Sequence, residues 1–217
     1  MIELFNVDCM EYMHRQPDKV FDLAIADPMY VLPKRYFIPG AEVSKGIRRR
    51  HRELAGRLAN LPPTGLPYYK ELCRVSKHQI IWGINYFEFA GLVPGRIVWD
   101  KKNDDSNFSN CELASCSLIM GTRIFRYRWN GMLQENMKDK EKRIHPFQKP
   151  VPLYKWLLDK YAQPGFKIID THFGSASSAI ACADMGFDYV GCEIDKLVFE
   201  RGLRRYQEFI SQQKLIF

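Results

Sequence analysis

Two short stretches of this chain put side chains where they can do chemistry. The first is Asp27-Pro28-Met29-Tyr30, which follows the apolar run VFDLAIA. Proline has no N–H and a fixed φ, so such a loop is stiff and its carbonyls point in a set direction. Asp27 and a neighbouring carbonyl are acceptors, and Tyr30 offers a ring. Two acceptors beside an aromatic face suit a planar amino group, such as the exocyclic amine of a base stacked on Tyr30. The competing reading is an Asp-Pro turn followed by a packed tyrosine. The second stretch is Asp170-Thr171-His172-Phe173-Gly174-Ser175-Ala176-Ser177, after the run FKII. Gly174 and Ala176 let the chain turn tightly and approach a ligand. A helix starting there offers free N–H groups to an anionic group such as a carboxylate. One strand later, Glu193 ends DYVGCE, where a carboxylate accepts hydrogen bonds from ribose hydroxyls in nucleotide-type folds. Together these features suggest an adenosine-containing cofactor. The plainer alternative is a tight strand–helix turn beside a solvated acid.

The elements that must position these loops are readable in part. Residues 20–26 form a short apolar run stopped by Asp27-Pro28, which predicts a buried strand. Residues 2–7 predict another strand, with a helix near 10–15. A helix is expected over 67–75 and strands over 79–84, 96–99 and 117–120. Residues 124–129 alternate aromatic and basic side chains, and 130–144 read as a polar loop. A helix over 151–161 starts where proline suits the first turn. A strand follows at 166–170, then a small-residue helix at 177–185, a strand at 188–193 and an amphipathic helix at 196–212. Alternating strands and helices imply an α/β fold, a single doubly wound and mostly parallel sheet with helices on both faces.

The chain has 217 residues, which predicts one domain over 1–217. Hydrophobic residues make up 46% and charged residues 26%, so the composition is globular and excludes global disorder. There is no apolar run long enough for a transmembrane helix, and the start MIELFNVDCMEYMH does not read as a secretory signal. The six cysteines form no C-x-x-C pair and no zinc spacing. Reduced thiols, a cytoplasmic location and no metal are expected. The formal charge is +7, and nearly all of the excess lies in residues 31–65, where Lys and Arg outnumber Glu by six. That stretch lacks a clean period and reads as a basic insert. Arg48, Arg49, Arg50 and Arg52 are its candidate phosphate contacts, with a solvated helix face as the alternative. Arg126 and Arg128, beside Trp129, are second candidates.

The two loops together resemble those of the DNA amino-methyltransferases that use S-adenosylmethionine. Their target loop runs Asp/Asn/Ser-Pro-Pro-Tyr/Phe/Trp and their cofactor loop Asp-Pro-Phe-x-Gly-Ser-Gly-Thr. The stretch His145-Pro146-Phe147-Gln148-Lys149-Pro150 is similar to the family's His-Pro-Thr-Gln-Lys-Pro segment. The order, target loop first and cofactor loop last, is that of the family's β group. The resemblance spans about residues 1–30 and 66–210. It implies a Rossmann-like methyltransferase sheet in circularly rearranged order. Met29 departs from the pattern at the second proline, Phe147 at the threonine and Ala176 at the second glycine. His172 stands near the cofactor-loop proline.

The resemblance implies roles residue by residue. Asp27, Pro28, Met29 and Tyr30 would hold the flipped base. An initial Asp goes with adenine N6 in this family and Ser with cytosine N4. Asp8, with Cys9 beside it, would meet the cofactor's adenine. Phe173, Gly174 and Ser175, in the loop begun by Asp170, would lie along the cofactor. His145, Gln148 and Lys149 would line its methionine end, with Lys149 paired to the carboxylate, and Glu193 would hold the ribose. A helix cap is the alternative for Asp8 and the favoured reading of Asp195, near Glu193. The implied activity is adenine-N6 methylation of duplex DNA with S-adenosylmethionine. Methylation of cytosine N4 or of RNA adenosine stays open, as does a catalytically weak nucleic-acid-binding subunit, and so do a homodimer and a partner nuclease.

Overall fold

The computed structural model describes residues 1–29, 64–104, 109–130 and 133–214. Tyr30 and the basic segment, including Arg48, Arg49, Arg50 and Arg52, lie outside them apart from Thr64 and Gly65. Ten strands and five α-helices are present among the described residues. The strands are β1 (Ile2–Phe5), β2 (Phe21–Ala26), β3 (Ser76–Trp82), β4 (Arg96–Asp100), β5 (Cys111–Cys116), β6 (Thr122–Arg126), β7 (Trp129–Asn130), β8 (Leu133–Gln134), β9 (Lys167–Asp170) and β10 (Asp188–Cys192). The helices are α1 (Cys9–His14), α2 (Leu66–Val75), α3 (Val151–Tyr161), α4 (Ser177–Met185) and α5 (Lys196–Lys214). Eight strands form one sheet in the order β1-β10-β9-β2-β3-β5-β4-β6, and β7 and β8 pair separately. The strands from β1 to β3 in that order run parallel, and β5 is antiparallel to both of its neighbours.

The first strand in the chain lies beside the last, as a circularly rearranged order requires. From β9 the chain winds outward through α4 to β10. From β2 it winds the other way through α2 to β3. The order therefore reverses between β9 and β2, where ligands of open α/β sheets bind. Alternate residues of each strand feed opposite faces. Leu23, Ile25, Ile80, Trp82 and Ile168 pack under α3 and α4, while Ala24, Ile81, Ile169 and Val190 pack under α1 and α2.

Two strand expectations change. The strand expected over 79–84 starts at Ser76, directly at the end of α2, and stops at Trp82, because Gly83 turns the chain at φ +68°. The strand expected over 117–120 is instead Cys111–Cys116. The apolar residues Leu118 and Ile119 pack against the core from a turn, and Met120 is exposed. The polar and small residues of CELASC become a strand because β3 and β4 hold them from both sides. The aromatic–basic stretch divides between β6 and β7. No described helix is long and apolar enough to cross a membrane.

Gly202 in the middle of α5 explains how the cofactor-type turn is seated. A Cβ there would lie 2.5 Å from the Gly174 carbonyl oxygen and 2.6 Å from the Phe173 ring. Glycine normally weakens a helix interior by about 1 kcal/mol, but here only hydrogen leaves room for the turn. We expect Gly202→Ala to lower stability by about 1–3 kcal/mol through overpacking, despite its helix propensity. Denaturant unfolding measures this; an unchanged or higher midpoint would mean that the contact yields freely.

Candidate active site

Asp27 and Asp170 leave adjacent parallel strands at their carboxyl ends, on either side of the switch point. Asp170 is buried, and both of its oxygens are used within its own turn. One accepts the His172 N–H at 2.9 Å and the other the Ser178 hydroxyl at 2.6 Å. Burial pushes its carboxyl up to about 6. Asp170 therefore fastens the strand end to the first turn of α4. Ala176, where the resemblance expects glycine, caps that helix at φ +67° with its side chain fully buried. A non-glycine residue pays a steric cost in the left-handed region, so the loop shape is kept against strain.

Glu193, at the end of β10, is also buried. One carboxylate oxygen accepts the Gly174 N–H at 3.1 Å and the other the Asp195 N–H at 2.9 Å. Burial outweighs those two hydrogen bonds and raises its carboxyl to about 7. A Cβ on Gly174 (φ +51°) would meet only the His172 carbonyl, at 3.5 Å, so the space over this turn is otherwise open on the protein side. Asp8 caps α1 through the Met10 N–H at 2.7 Å. Burial, then Asp8, push the neighbouring Cys9 thiol up to about 12, so it stays protonated. Burial lowers His172 to about 4 against the pull of Asp8, so it is neutral near pH 7. Its ring meets Tyr68 edge-on, and both residues hydrogen-bond the Thr171 hydroxyl. Asp195 caps α5 through the Leu197 and Val198 N–H groups.

Several expected cofactor contacts have other partners. Phe173 is a core residue, its ring tilted against that of Phe199 and close to Gly202. Gln148 ties its own loop together: its side chain bonds Lys142 and Ile144, and its carbonyl accepts the Trp129 indole N–H at 2.9 Å. His145 accepts the Phe147 N–H. Ser175 is buried, its hydroxyl 3.2 Å from that of Ser177 and its carbonyl bound by Arg205. Lys149 is 5% exposed and ion-pairs with Asp27 and with Glu112, the latter at 3.0 Å. No sequence signal joined this lysine to either carboxylate.

Other residues were missed outright. Arg205 from α5 bonds the Ser175 carbonyl at 2.7 Å, the Ser177 hydroxyl at 2.8 Å and Glu141 at 2.6 Å, and Glu141 also accepts the Val151 N–H. One guanidinium thus joins the last helix, the small-residue turn and the entrance of α3. Thr64 bonds the Met29 carbonyl through both its N–H and its hydroxyl. The described residues on either side of the basic segment, Met29 and Thr64, are therefore held together beside the target-type loop. The Met29 carbonyl is thus engaged by Thr64. A lone acid within an otherwise small-residue strand was the only signal for Glu112.

A reversing, mostly parallel sheet with a small-residue turn on one side of the switch and an Asp-Pro loop on the other defines a Rossmann-like methyltransferase fold. Residues 75–202, more than half of the chain, match the DNA methylase family designated N6_N4_Mtase. The chain belongs to that family. Its fold is similar to that of M1.HpyAVI solved with SAM, at 18% identity and a TM-score of 0.52 over 94% of this chain and 100% of that one. It is likewise similar to TTHA0409 of Thermus thermophilus, at 13% identity and a TM-score of 0.58 over 97% and 96%. The cytosine-N4-specific PvuII DNA methyltransferase matches at 9% identity and a TM-score of 0.59 over 97% and 90%.

Proposed function

We propose that the chain methylates the N6 amine of adenine in duplex DNA with S-adenosylmethionine as donor. The observation that carries this reading is the placement of Asp27 at the switch point, one strand from the turn in which Gly174 and Glu193 are hydrogen-bonded. The residues present fit that cofactor. The turn over Gly174 is open, Glu193 lies beside it and would accept ribose hydroxyls, and Asp8 and the neutral His172 would flank the adenine. When bound, the cofactor supplies an electrophilic methyl group on a sulfonium.

The chain's own residues then have three tasks. Asp27 and the Pro28 carbonyl draw the hydrogens of the exocyclic amine, which favours a pyramidal nitrogen with its lone pair free. Tyr30 stacks on the flipped base. With cofactor and base bound, the two loops would align the amine with the methyl group, and such alignment supplies much of the rate. Arg48, Arg49, Arg50 and Arg52 neutralise phosphates. Their joint replacement by serine should lower the slope of log affinity against log salt by about one per lost contact, read by fluorescence anisotropy.

Methylome sequencing of DNA from a methylation-free host expressing the chain tests the substrate. N6-methyladenine is expected. N4-methylcytosine would favour the second reading, which the PvuII fold match supports. Unmodified DNA with methylated RNA would move the substrate to RNA. No methylation and no heat on titration with S-adenosylhomocysteine would leave a silent binding subunit.

The shift of Glu193 makes a pH prediction. Its folded carboxyl titrates near 7, above the ordinary 4.5. Ribose hydroxyls donate to the ionised form, so binding below about pH 7 must first release a proton. Affinity for S-adenosylhomocysteine should weaken on acidification by up to about tenfold per unit. Glu193→Gln should flatten that dependence, as calorimetry would show. The same shift makes the unliganded fold lose stability as pH rises from 4.5 to about 7, because the folded carboxyl holds its proton more tightly than the unfolded one.

A further inference from the structure

We propose that Lys149 and Glu112 are positioning residues for Asp27: Lys149 tethers the Asp27 carboxylate at the end of β2, and Glu112 anchors the tether from β5. The inference rests on the reading of Asp27 as the residue that meets the target amine.

The geometry comes from register. Ala26 pairs with Ile81, so Asp27 leaves the sheet beside Trp82. Trp82 pairs with Ala114, so Glu112 stands two residues further toward the same edge of the sheet. Asp27 and Glu112 thus flank the end of β3 on strands that do not touch each other. Lys149, entering α3, crosses that gap with its ammonium 5.5 Å from the Trp82 ring and reaches both carboxylates. Lys101 holds Glu112 from the far side at 2.5 Å. An ammonium this deeply buried stays charged only when paired, and removing one partner of such a pair leaves a costly lone charge.

The charges around Asp27 come from every neighbouring element. Lys149 enters from α3, Glu112 from β5 and Lys101 from the end of β4. Asp170 faces it from β9 and Tyr154 from α3. Burial raises the Asp27 carboxyl; Lys149 opposes that rise and Glu112 adds to it. Burial also works against the charge on Glu112, but Lys149 and Lys101 outweigh it and hold that carboxyl at about 2. Glu112 therefore stays ionised and competes with Asp27 for the same ammonium. Lys149 thus holds Asp27 while sharing its charge with Glu112.

The two variants should move Asp27 in opposite directions. Carboxyl-13C-labelled aspartate followed by NMR in the unliganded full chain, with the Asp27 signal assigned by its loss in Asp27→Asn, reads the midpoint without substrate. Glu112→Gln should lower it and Lys149→Met should raise it, each by about one pH unit. Lys149→Arg should leave it within about half a unit. The acid limb of the methyl-transfer profile on unmethylated genomic DNA should move with the midpoint. A purely structural role predicts changes in melting temperature with no opposed shifts. Midpoints that stay put, or move together, overturn the proposal. So does a loss of about tenfold or more in S-adenosylhomocysteine affinity in Lys149→Met with Asp27 unmoved, which would place Lys149 on the cofactor's carboxylate. If Lys149→Met does not fold, Glu112→Gln alone decides by the sign of its shift. An active Asp27→Ala would instead remove the underlying reading of Asp27, and the NMR midpoints would still judge the tether.

Discussion

Replacing Asp27 by alanine should lower the rate of methyl transfer at least about a hundredfold and leave affinity for S-adenosylhomocysteine within a few fold. In the proposed reaction the carboxylate accepts from an amine that gains positive charge as the methyl arrives. Removing a preorganised group of this kind costs about 3 kcal/mol of transition-state stabilisation. The variant should stay folded, because Lys149 retains Glu112 at 3.0 Å when Asp27 is gone and is not left as a lone buried charge. Asp27 also lies across the switch point from the Gly174 turn, so the cofactor side loses no contact. Single-turnover transfer of a labelled methyl group, with calorimetry for the cofactor, separates the two effects. A rate above one tenth of the parent would show that the Asp27 carboxylate does not serve the reaction.

Gly174→Val should have the reverse signature, with cofactor binding lost and activity following it. Gly174 sits at φ +51°, where a β-branched residue is a genuine outlier. Its N–H donates to Glu193, so straining the turn also disturbs the carboxylate proposed to hold the ribose. Yet a Cβ at this position would meet only the His172 carbonyl, at 3.5 Å, so the new side chain projects into the open space where the cofactor is proposed to lie. We expect a fall in S-adenosylhomocysteine affinity of about thirtyfold or more, since the strain alone is worth about 1–2 kcal/mol and the steric block adds to it. Gly174→Ala should lose less, and comparing the two isolates the volume of the branch. Unchanged affinity in a folded valine variant would mean that this turn does not hold the cofactor.

The fold was legible wherever local signals suffice. β2, β9, β10, α3, α4 and α5 appear close to where apolar runs, prolines and small residues place them, because strand ends and helix starts are set by residues near in sequence. β5 was not legible. CELASC carries no strong strand preference, and its conformation is decided by two partner strands, while the more apolar residues after it form a turn.

The candidate site divides along the same line. The types and order of residues at the two strand ends, Asp27-Pro28 and the turn from Asp170 to Ser177, were determined by the sequence. So was the helix-cap alternative for Asp8 and Asp195, which the geometry adopts. What those residues touch was decided only by the tertiary structure. Lys149 lies 122 residues from Asp27, and Glu112 reaches the same ammonium from an antiparallel strand. Arg205 holds the Ser175 carbonyl from thirty residues away. Charges find partners by Coulombic attraction in a low-dielectric interior, through space rather than along the chain. Which lysine meets which carboxylate therefore depends on strand order and register, and no local pattern encodes either.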